Sequence, residues 1–367
     1  MAIESVEQLI DILVNNDLLP ADQLKELKLT IAGRVDDPKR LGKYLVQRQW
    51  LTLYQLRQIF QDNAAELNLG PYRILDHIGK GGVSHVYKAI DKRHQRVVAL
   101  KVIHPDLLSN VEAYGRLQRE MMAATRLNHP NIVKALDVDL RSRSHYYAME
   151  LVEGTDLQKM LQLSGALPLS VACNFIRQAA LGLQHAHELG LVHRDIKPAN
   201  LVFIEEGHLI KILDFGLARL HQSKQTKQQD VNLTMEGSLI GTADYLAPEQ
   251  SKNPSGVDIR ADIYSLGCTL FHMLAGQPPF PGGTAIHKIY MHQSQEPSPP
   301  LEERRPEVPT ALAAVVRKMM AKNPEERYRT PAAVAAALSA FARGHSDPAL
   351  HILPKENPVH PPSDASF

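Results

Sequence analysis

Near the middle of the chain stands Val192-His193-Arg194-Asp195-Ile196-Lys197-Pro198-Ala199-Asn200. It brings a carboxylate, an amine and a carboxamide together within six residues. An apolar helical pattern (172–187) precedes it and a pair of strand-like runs follows, so the stretch reads as a loop. A solvated turn needs no particular spacing of such groups, whereas phosphoryl transfer does. It needs a carboxylate to accept the proton of an attacking hydroxyl, a cation to steady the phosphate in flight, and an amide oxygen to help hold a divalent metal.

Downstream, Leu213-Asp214-Phe215-Gly216 ends a predicted strand over 208–213, fourteen residues beyond Asn200. Asp214 is a second hard oxygen ligand suited to Mg²⁺, and Gly216 lets the chain turn away. A polar stretch then leads to Gly241-Thr242-Ala243-Asp244-Tyr245-Leu246-Ala247-Pro248-Glu249. Upstream, Ile78-Gly79-Lys80-Gly81-Gly82-Val83-Ser84-His85-Val86 lies between two predicted strands. Its glycines allow backbone N–H groups to approach phosphate oxygens, although a plain hairpin turn uses the same residues. A dinucleotide fingerprint is disfavoured, because that motif opens a helix and this one continues as strand. Fifteen residues past Val86, Val98-Ala99-Leu100-Lys101 ends an apolar strand on a lysine. Lys101 is either an edge-strand residue with its head in water or a cation for nucleotide phosphates. In the latter case Glu120, in the helical pattern 116–127, is available as its partner carboxylate.

These motifs, in this order, resemble the eukaryotic-like (Hanks-type) serine/threonine protein kinases of bacteria over residues 72–341. The resemblance implies an α+β, bilobal protein kinase fold, with a β-rich small lobe, a helical large lobe and nucleotide in the cleft, preceded here by a small all-α domain. It implies transfer of the γ-phosphate of ATP to Ser or Thr hydroxyls of protein substrates, with Mg²⁺ as cofactor and Mn²⁺ as the alternative. Asp195 would be the catalytic base, Lys197 the γ-phosphate contact, and Asn200 and Asp214 the metal ligands. Lys101, paired with Glu120, would hold the α and β phosphates under the loop Gly79, Lys80, Gly81 and Gly82. Adenine would lie between Ile78, Val86 and Ala99 on one side and Val202 on the other, with Leu213 behind. Met149 falls at the gatekeeper position, and Glu150 to Val152 would be the hinge. Lys197 and Thr242 mark the serine/threonine form of the loop. Asp262 resembles the buried aspartate that braces it, and Arg327 the partner of Glu249.

The chain departs from the family pattern at Ser84, where a third loop glycine is usual; its Cβ narrows the loop's freedom, or its hydroxyl adds a phosphate contact. In the activation segment, 214–249, Thr234 occupies a phosphorylation position and Glu236 stands where a second threonine is common. Arg194 and Arg219 offer a basic pocket, so phosphorylation of Thr234 is expected to order the segment.

Residues 1–67 carry four helical patterns and a repeat offset by 32 residues: Leu9, Leu13, Leu19, Gln23 and Leu27 fall opposite Leu41, Leu45, Leu51, Gln55 and Ile59. Ser5 with Gln8 and Thr52 with Gln55 are capping-box signals, and Asp37-Pro38 is an N-cap with a first-turn proline. Such helix pairs can bury each other's apolar faces, either as a separate unit or against the small lobe. Docking, self-association and autoinhibition all remain open for them, since no catalytic constellation is present. Residues 342–367 are proline-rich and read as an extended tail.

The 367 residues contain 44% hydrophobic residues, enough for a sizeable core. Lys plus Arg number 41 and Asp plus Glu 40, which argues against nucleic acid or an anionic membrane as partner. Cys173 and Cys268 read as buried thiols in a reducing compartment. The start lacks a signal-peptide pattern and no membrane-spanning run occurs, so a cytoplasmic location is expected, with any signal arriving through a partner, residues 1–67 or solution. His185 and His187, two apart on a helix, point in different directions and are not expected to bind metal. Two other readings remain. A scaffold without turnover has no chemical need for Lys101, Asp195, Asn200 and Asp214 together. A small-molecule phosphotransferase usually lacks the Ala247-Pro248-Glu249 ledge.

Overall fold

The computed structural model describes residues 3–31, 35–81, 84–103, 111–139, 145–215, 242–252, 256–294 and 296–342. Gly82, Arg219, Thr234, Glu236, the polar run 221–230 and the tail beyond 342 lie outside them. The chain forms two compact units, residues 1–127 with 134–152, and residues 128–133 with most of the chain beyond 152.

The first unit begins with helices α1 (Val6–Asn15), α2 (Ala21–Glu26), α3 (Pro38–Gln47) and α4 (Leu53–Phe60). Local chemistry sets their starts. The Ser5 hydroxyl accepts the Gln8 N–H, and the Asp37 carboxylate accepts the Lys39 N–H at 2.9 Å. Thr52 and Gln55 cap each other reciprocally. The repeat pairs Leu9/Leu41, Leu13/Leu45, Leu19/Leu51 and Leu27/Ile59 are all 3% exposed or less, so the repeat is a packing repeat. Gly42 admits α4 closely, since a Cβ there would stand 2.6 Å from Leu56 Cδ1.

A six-stranded antiparallel sheet follows in the order β1-β2-β3-β4-β6-β5. Its strands are β1 (Asn68–Leu69), β2 (Tyr72–Lys80), β3 (Ser84–Asp91), β4 (Arg96–Ile103), β5 (Ala135–Asp139) and β6 (Tyr146–Glu150), with helix α5 (Val111–Ala124) between β4 and β5. The helices and the sheet share one core: Ile74 of β2 is buried in the leucine cluster and Tyr87 of β3 packs on it. Of the two placements open to residues 1–67, packing against the small lobe is the one observed. At the β3–β4 turn, burial of Asp91 opposes its ionisation. Hydrogen bonds from Arg93 and His94 outweigh that and hold the carboxyl below the usual carboxylate range.

In the second unit, β7 (Thr155–Asp156), β8 (Leu201–Ile204) and β9 (Leu209–Ile212) form a small sheet beside helices α6 (Leu157–Ser164) and α7 (Leu169–Glu188). The helix Ile259–Ala275 is buried along nearly its whole length, which accounts for its apolar character on every face. Cys173 and Cys268 are buried free thiols whose pKa burial raises to about 12. Among the described residues no helix is long and apolar enough to cross a membrane.

Candidate active site

Residues 193–200 sit between α7 and β8, and a buried carboxylate fixes their backbone. Asp262, fully buried on the helix Ile259–Ala275, accepts the His193 N–H through Oδ2 and the Arg194 N–H through Oδ1, each at 2.7 Å. Burial pushes the Asp262 pKa up, and His193 and Arg194 partly offset this. The Arg194 backbone lies at φ 67°, a region costly for a long side chain, at roughly 1–3 kcal/mol. Three bonds hold that conformation: the two to Asp262, and Gln250 Nε2 donating to the Arg194 carbonyl at 2.8 Å. Gln250 Oε1 in turn accepts the Ala247 N–H at 3.1 Å, tying the Ala247-Pro248-Glu249 segment to the 193–200 loop.

Within this frame, Lys197 Nζ lies 2.9 Å from Asp195 Oδ2 and donates to Thr242 Oγ1 at 2.8 Å. Asn200 Nδ2 donates to the Asp195 carbonyl at 2.7 Å and to its Oδ2 at 3.1 Å. The Asn200 nitrogen is thereby committed to Asp195, and the amide oxygen is the atom available to a hard cation. The Leu213 N–H donates to the Asn200 carbonyl at 2.9 Å, which links the loop to the strand end before Asp214. Asp214 itself takes φ 64°. His193 joins the two segments: its Nε2 lies 2.7 Å from the Leu213 carbonyl and its Nδ1 accepts the Asp195 N–H at 3.2 Å. Its ring also meets Phe215 edge-on at 4.7 Å. Nothing in the spacing singled out His193 or Gln250. The only signal was their adjacency to Asp195 and Glu249.

Arg327 is buried and forms a bidentate pair with Glu249 at 2.6 and 2.9 Å. Its remaining donors reach the carbonyls of Ala321, Arg260 and Lys322. Tyr245, in the same segment, bonds His272 Nδ1 at 2.7 Å, and Tyr264 bonds His292 Nδ1 at 2.8 Å. Burial lowers these imidazoles to about 4 and about 3, so both are neutral at pH 7. Val202 is buried on β8. His185 Nε2 accepts the Asn128 N–H and its ring stacks on His129.

The first unit carries the other predicted residues. Gly79 and Lys80 end β2, opposite Val86 and His85 of β3, and the Gly81 N–H donates to the Ser84 carbonyl at 2.8 Å to close the turn. Ser84 is buried at the start of β3, and Ile78 is 47% exposed. Lys101, buried on β4, lies between Val86 and Tyr147 in the ladder, and Ala99 pairs with Met149. Glu120 is half-buried on α5. Glu150 donates its N–H to the Lys134 carbonyl at 3.0 Å, and its side chain accepts the Lys134 N–H. Val152 follows at the end of this unit.

A protein kinase domain is matched over residues 72–338. The chain is 38% identical to the serine/threonine-protein kinase PknB of Mycobacterium leprae over 286 residues, which is 77% of this chain and 44% of that protein. It is 36% identical over 259 residues to a probable serine/threonine-protein kinase of Clostridium perfringens, covering 71% of this chain and 36% of that one. The crystal structure of the Mycobacterium tuberculosis PknI kinase domain matches with a TM-score of 0.60 at 28% identity, over 75% of this chain and 98% of that domain. The chain belongs to the protein kinase family, and residues 72–338 are its protein kinase domain. It spans less than half the length of the curated relatives described above.

Proposed function

We propose that this chain transfers the γ-phosphate of ATP to Ser and Thr hydroxyls of proteins, with Asp195 as the base. The arrangement around Asp195 carries this reading: one carboxylate oxygen, Oδ2, lies within 2.9 Å of Lys197 Nζ and 3.1 Å of Asn200 Nδ2. Those contacts fix the carboxylate in one orientation, toward which a substrate hydroxyl can donate. The hydroxyl oxygen attacks the γ-phosphorus as its proton passes to Asp195, and the bond to the β–γ bridging oxygen breaks to release ADP. Lys197 steadies the transferring group while Thr242 keeps its ammonium in place. Lys101, with Glu120 as partner, binds the α and β phosphates. Ile78, Val86 and Ala99 in the first unit, and Val202 in the second, are the proposed adenine contacts, with backbone groups of residues 150–152 for its edge.

Mg²⁺ is the proposed metal. Asn200 and Asp214 offer an amide and a carboxylate oxygen, which suit a small hard cation. When bound, the metal neutralises phosphate charge. Phosphorylation of Thr234 regulates the activation segment, and residues 1–67 are fixed to the catalytic domain. The cytoplasm is the proposed location.

The test is transfer of label from ATP in the presence of Mg²⁺, to the chain itself and to a generic basic protein. Asp195→Asn is expected to cut transfer by about 10²- to 10⁴-fold while nucleotide binding persists. Label on Ser or Thr, mapped to Thr234 among other sites, supports the reading. Nucleotide binding with no label from the wild type would leave the scaffold reading instead.

A further inference from the structure

The N-terminal helices meet the sheet at β1, β2 and β3, and of these β2 leads into the glycine loop. Gln55, 2% exposed, donates from Nε2 to the Ile74 carbonyl at 2.6 Å. Thr52 donates its hydroxyl to the next carbonyl, Leu75. These two residues also form the capping box of α4, in which Gln55 Oε1 accepts the Thr52 N–H and Thr52 Oγ1 accepts the Gln55 N–H. Each side chain thus caps a helix with one polar function and holds a strand with another.

The location along β2 matters. The ladder between β2 and β3 is irregular between Ile74 and Asp76, and again between His77 and Gly79. At a bulge the strand loses regular pairing and its direction is set by other contacts. The carbonyls taken by Gln55 and Thr52 fall at the first irregularity. Three residues separate Leu75 from Ile78, a span of roughly 10 Å along a strand. Further anchors lie nearby: at the start of β2, Arg73 Nη1 donates to the Leu18 carbonyl at 3.0 Å, and on the paired β1, Asn68 Nδ2 donates to the Asn16 carbonyl.

The repeat isolates what is particular about Gln55. Its first-copy counterpart, Gln23, is half-buried on a helix that starts behind Pro20 without a side-chain cap. Packing alone would be served by a leucine at position 55, because a buried amide costs free energy unless its partners are supplied. Here the partners are the neighbouring helix cap and a carbonyl of the nucleotide-loop strand.

We infer that Thr52 and Gln55 are positioning residues for phosphoryl transfer: through the Ile74 and Leu75 carbonyls they set the direction in which β2 delivers the glycine loop, and so the affinity for ATP. Residues 1–67 then act as part of the nucleotide-binding lobe. This rests on the kinase reading above, and the test separates the two.

Two full-chain variants keep the cap acceptors and remove the donors to the strand. Thr52→Asp retains an N-cap oxygen, and Gln55→Glu retains the oxygen that accepts the Thr52 N–H. Thr52→Ser restores the hydroxyl. A fluorescent ATP analogue, titrated against each protein, reads affinity without requiring turnover. Steady-state kinetics then give KM for ATP, KM for protein substrate and kcat. Loss of one such bond is expected to weaken ATP binding and raise its KM by about three- to tenfold. The KM for protein substrate and kcat should stay within about twofold, and Thr52→Ser should resemble the wild type. Unchanged ATP affinity in Thr52→Asp, even with a lowered melting temperature, would overturn the inference and leave these residues a structural role. Should Gln55→Glu fail to fold, Thr52→Asp, at a half-buried site, decides alone. A wild type that binds ATP without transferring phosphate would sink the kinase reading, and weaker ATP binding by Thr52→Asp would then still assign these residues to nucleotide affinity, though not to transfer.

Discussion

The loop at residues 193–200 and the joint at residues 52–75 do comparable work by opposite means. The 193–200 loop is held by charge: buried Asp262 accepts two backbone N–H groups, and buried Arg327 clamps Glu249. The joint is held mainly by neutral groups, Thr52 and Gln55 on two carbonyls, with Arg73 on the Leu18 carbonyl beside them, over a leucine core. A buried charge fixes geometry strongly but makes removal of either partner costly. Neutral amides and hydroxyls hold a strand with less at stake per bond. The difference suits the two tasks proposed for them, since reacting groups need a single geometry whereas a nucleotide loop has to admit and release its ligand.

Asp262→Ala tests the charged side of the comparison and should have the largest effect. It leaves the His193 and Arg194 N–H groups without their acceptors in a buried site, at about 1–3 kcal/mol each, so about 2–6 kcal/mol in all. Arg194 then loses most of what keeps it at φ 67°. Calorimetry should show the loss of stability, and turnover should fall further than the lost stability explains, with ATP affinity little changed. Activity near wild type would show that Gln250 alone suffices to hold the loop.

The sequence disclosed these two regions unequally. Asp195, Lys197 and Asn200, which the structure brings together, stood out with Asp214 because the proposed phosphoryl transfer would dictate both their chemistry and their spacing. The helix starts at Ser5, Asp37 and Thr52 were legible because a cap is a local bond. The strands on either side of the glycine stretch were also visible, and β2 runs on to Lys80 because its pairing with His85 carries the sheet into that stretch. The second bond of Gln55 was not legible. It reaches a carbonyl nineteen residues away, and a carbonyl belongs to every residue alike. Gln250 escaped notice for the same reason, because its partner is the Arg194 carbonyl. Side-chain-to-backbone contacts over long range leave no pattern in residue types.

Acid should distinguish the regions next. His272 and His292 are buried and neutral, with pKa values lowered from 6.5 to about 4 and about 3 by burial. In the unfolded chain they take up protons near pH 6.5, while the folded unit resists doing so. The unfolded state therefore binds more protons, and stability falls as pH drops from about 6.5 toward 4, by on the order of a few kcal/mol. Hydrogen exchange followed at 260–275 should accelerate through this window, and His292→Gln should flatten the dependence. The joint contains no buried histidine, so exchange at 41–59 should stay slow until the pH falls below the carboxylate range. Equal acceleration in both segments would break the comparison.

The smallest effect should come from the ion pair at the edge of the joint. Lys92 Nζ lies 3.0 Å from Asp17 Oδ2 and 3.3 Å from Asn68 Oδ1, with the Asp17 side chain 72% exposed. An ion pair that open to solvent is worth about 0–1 kcal/mol and is screened by salt. Lys92→Met should therefore shift the melting temperature by only a few degrees at low salt and less in 0.5 M NaCl (about a 4 Å screening length), without altering ATP affinity. The same substitution would expose an electrostatic joint if it weakened ATP binding as much as Thr52→Asp does. A null result here, alongside an effect at Thr52, would assign the hold on β2 to the neutral donors and the core beneath them.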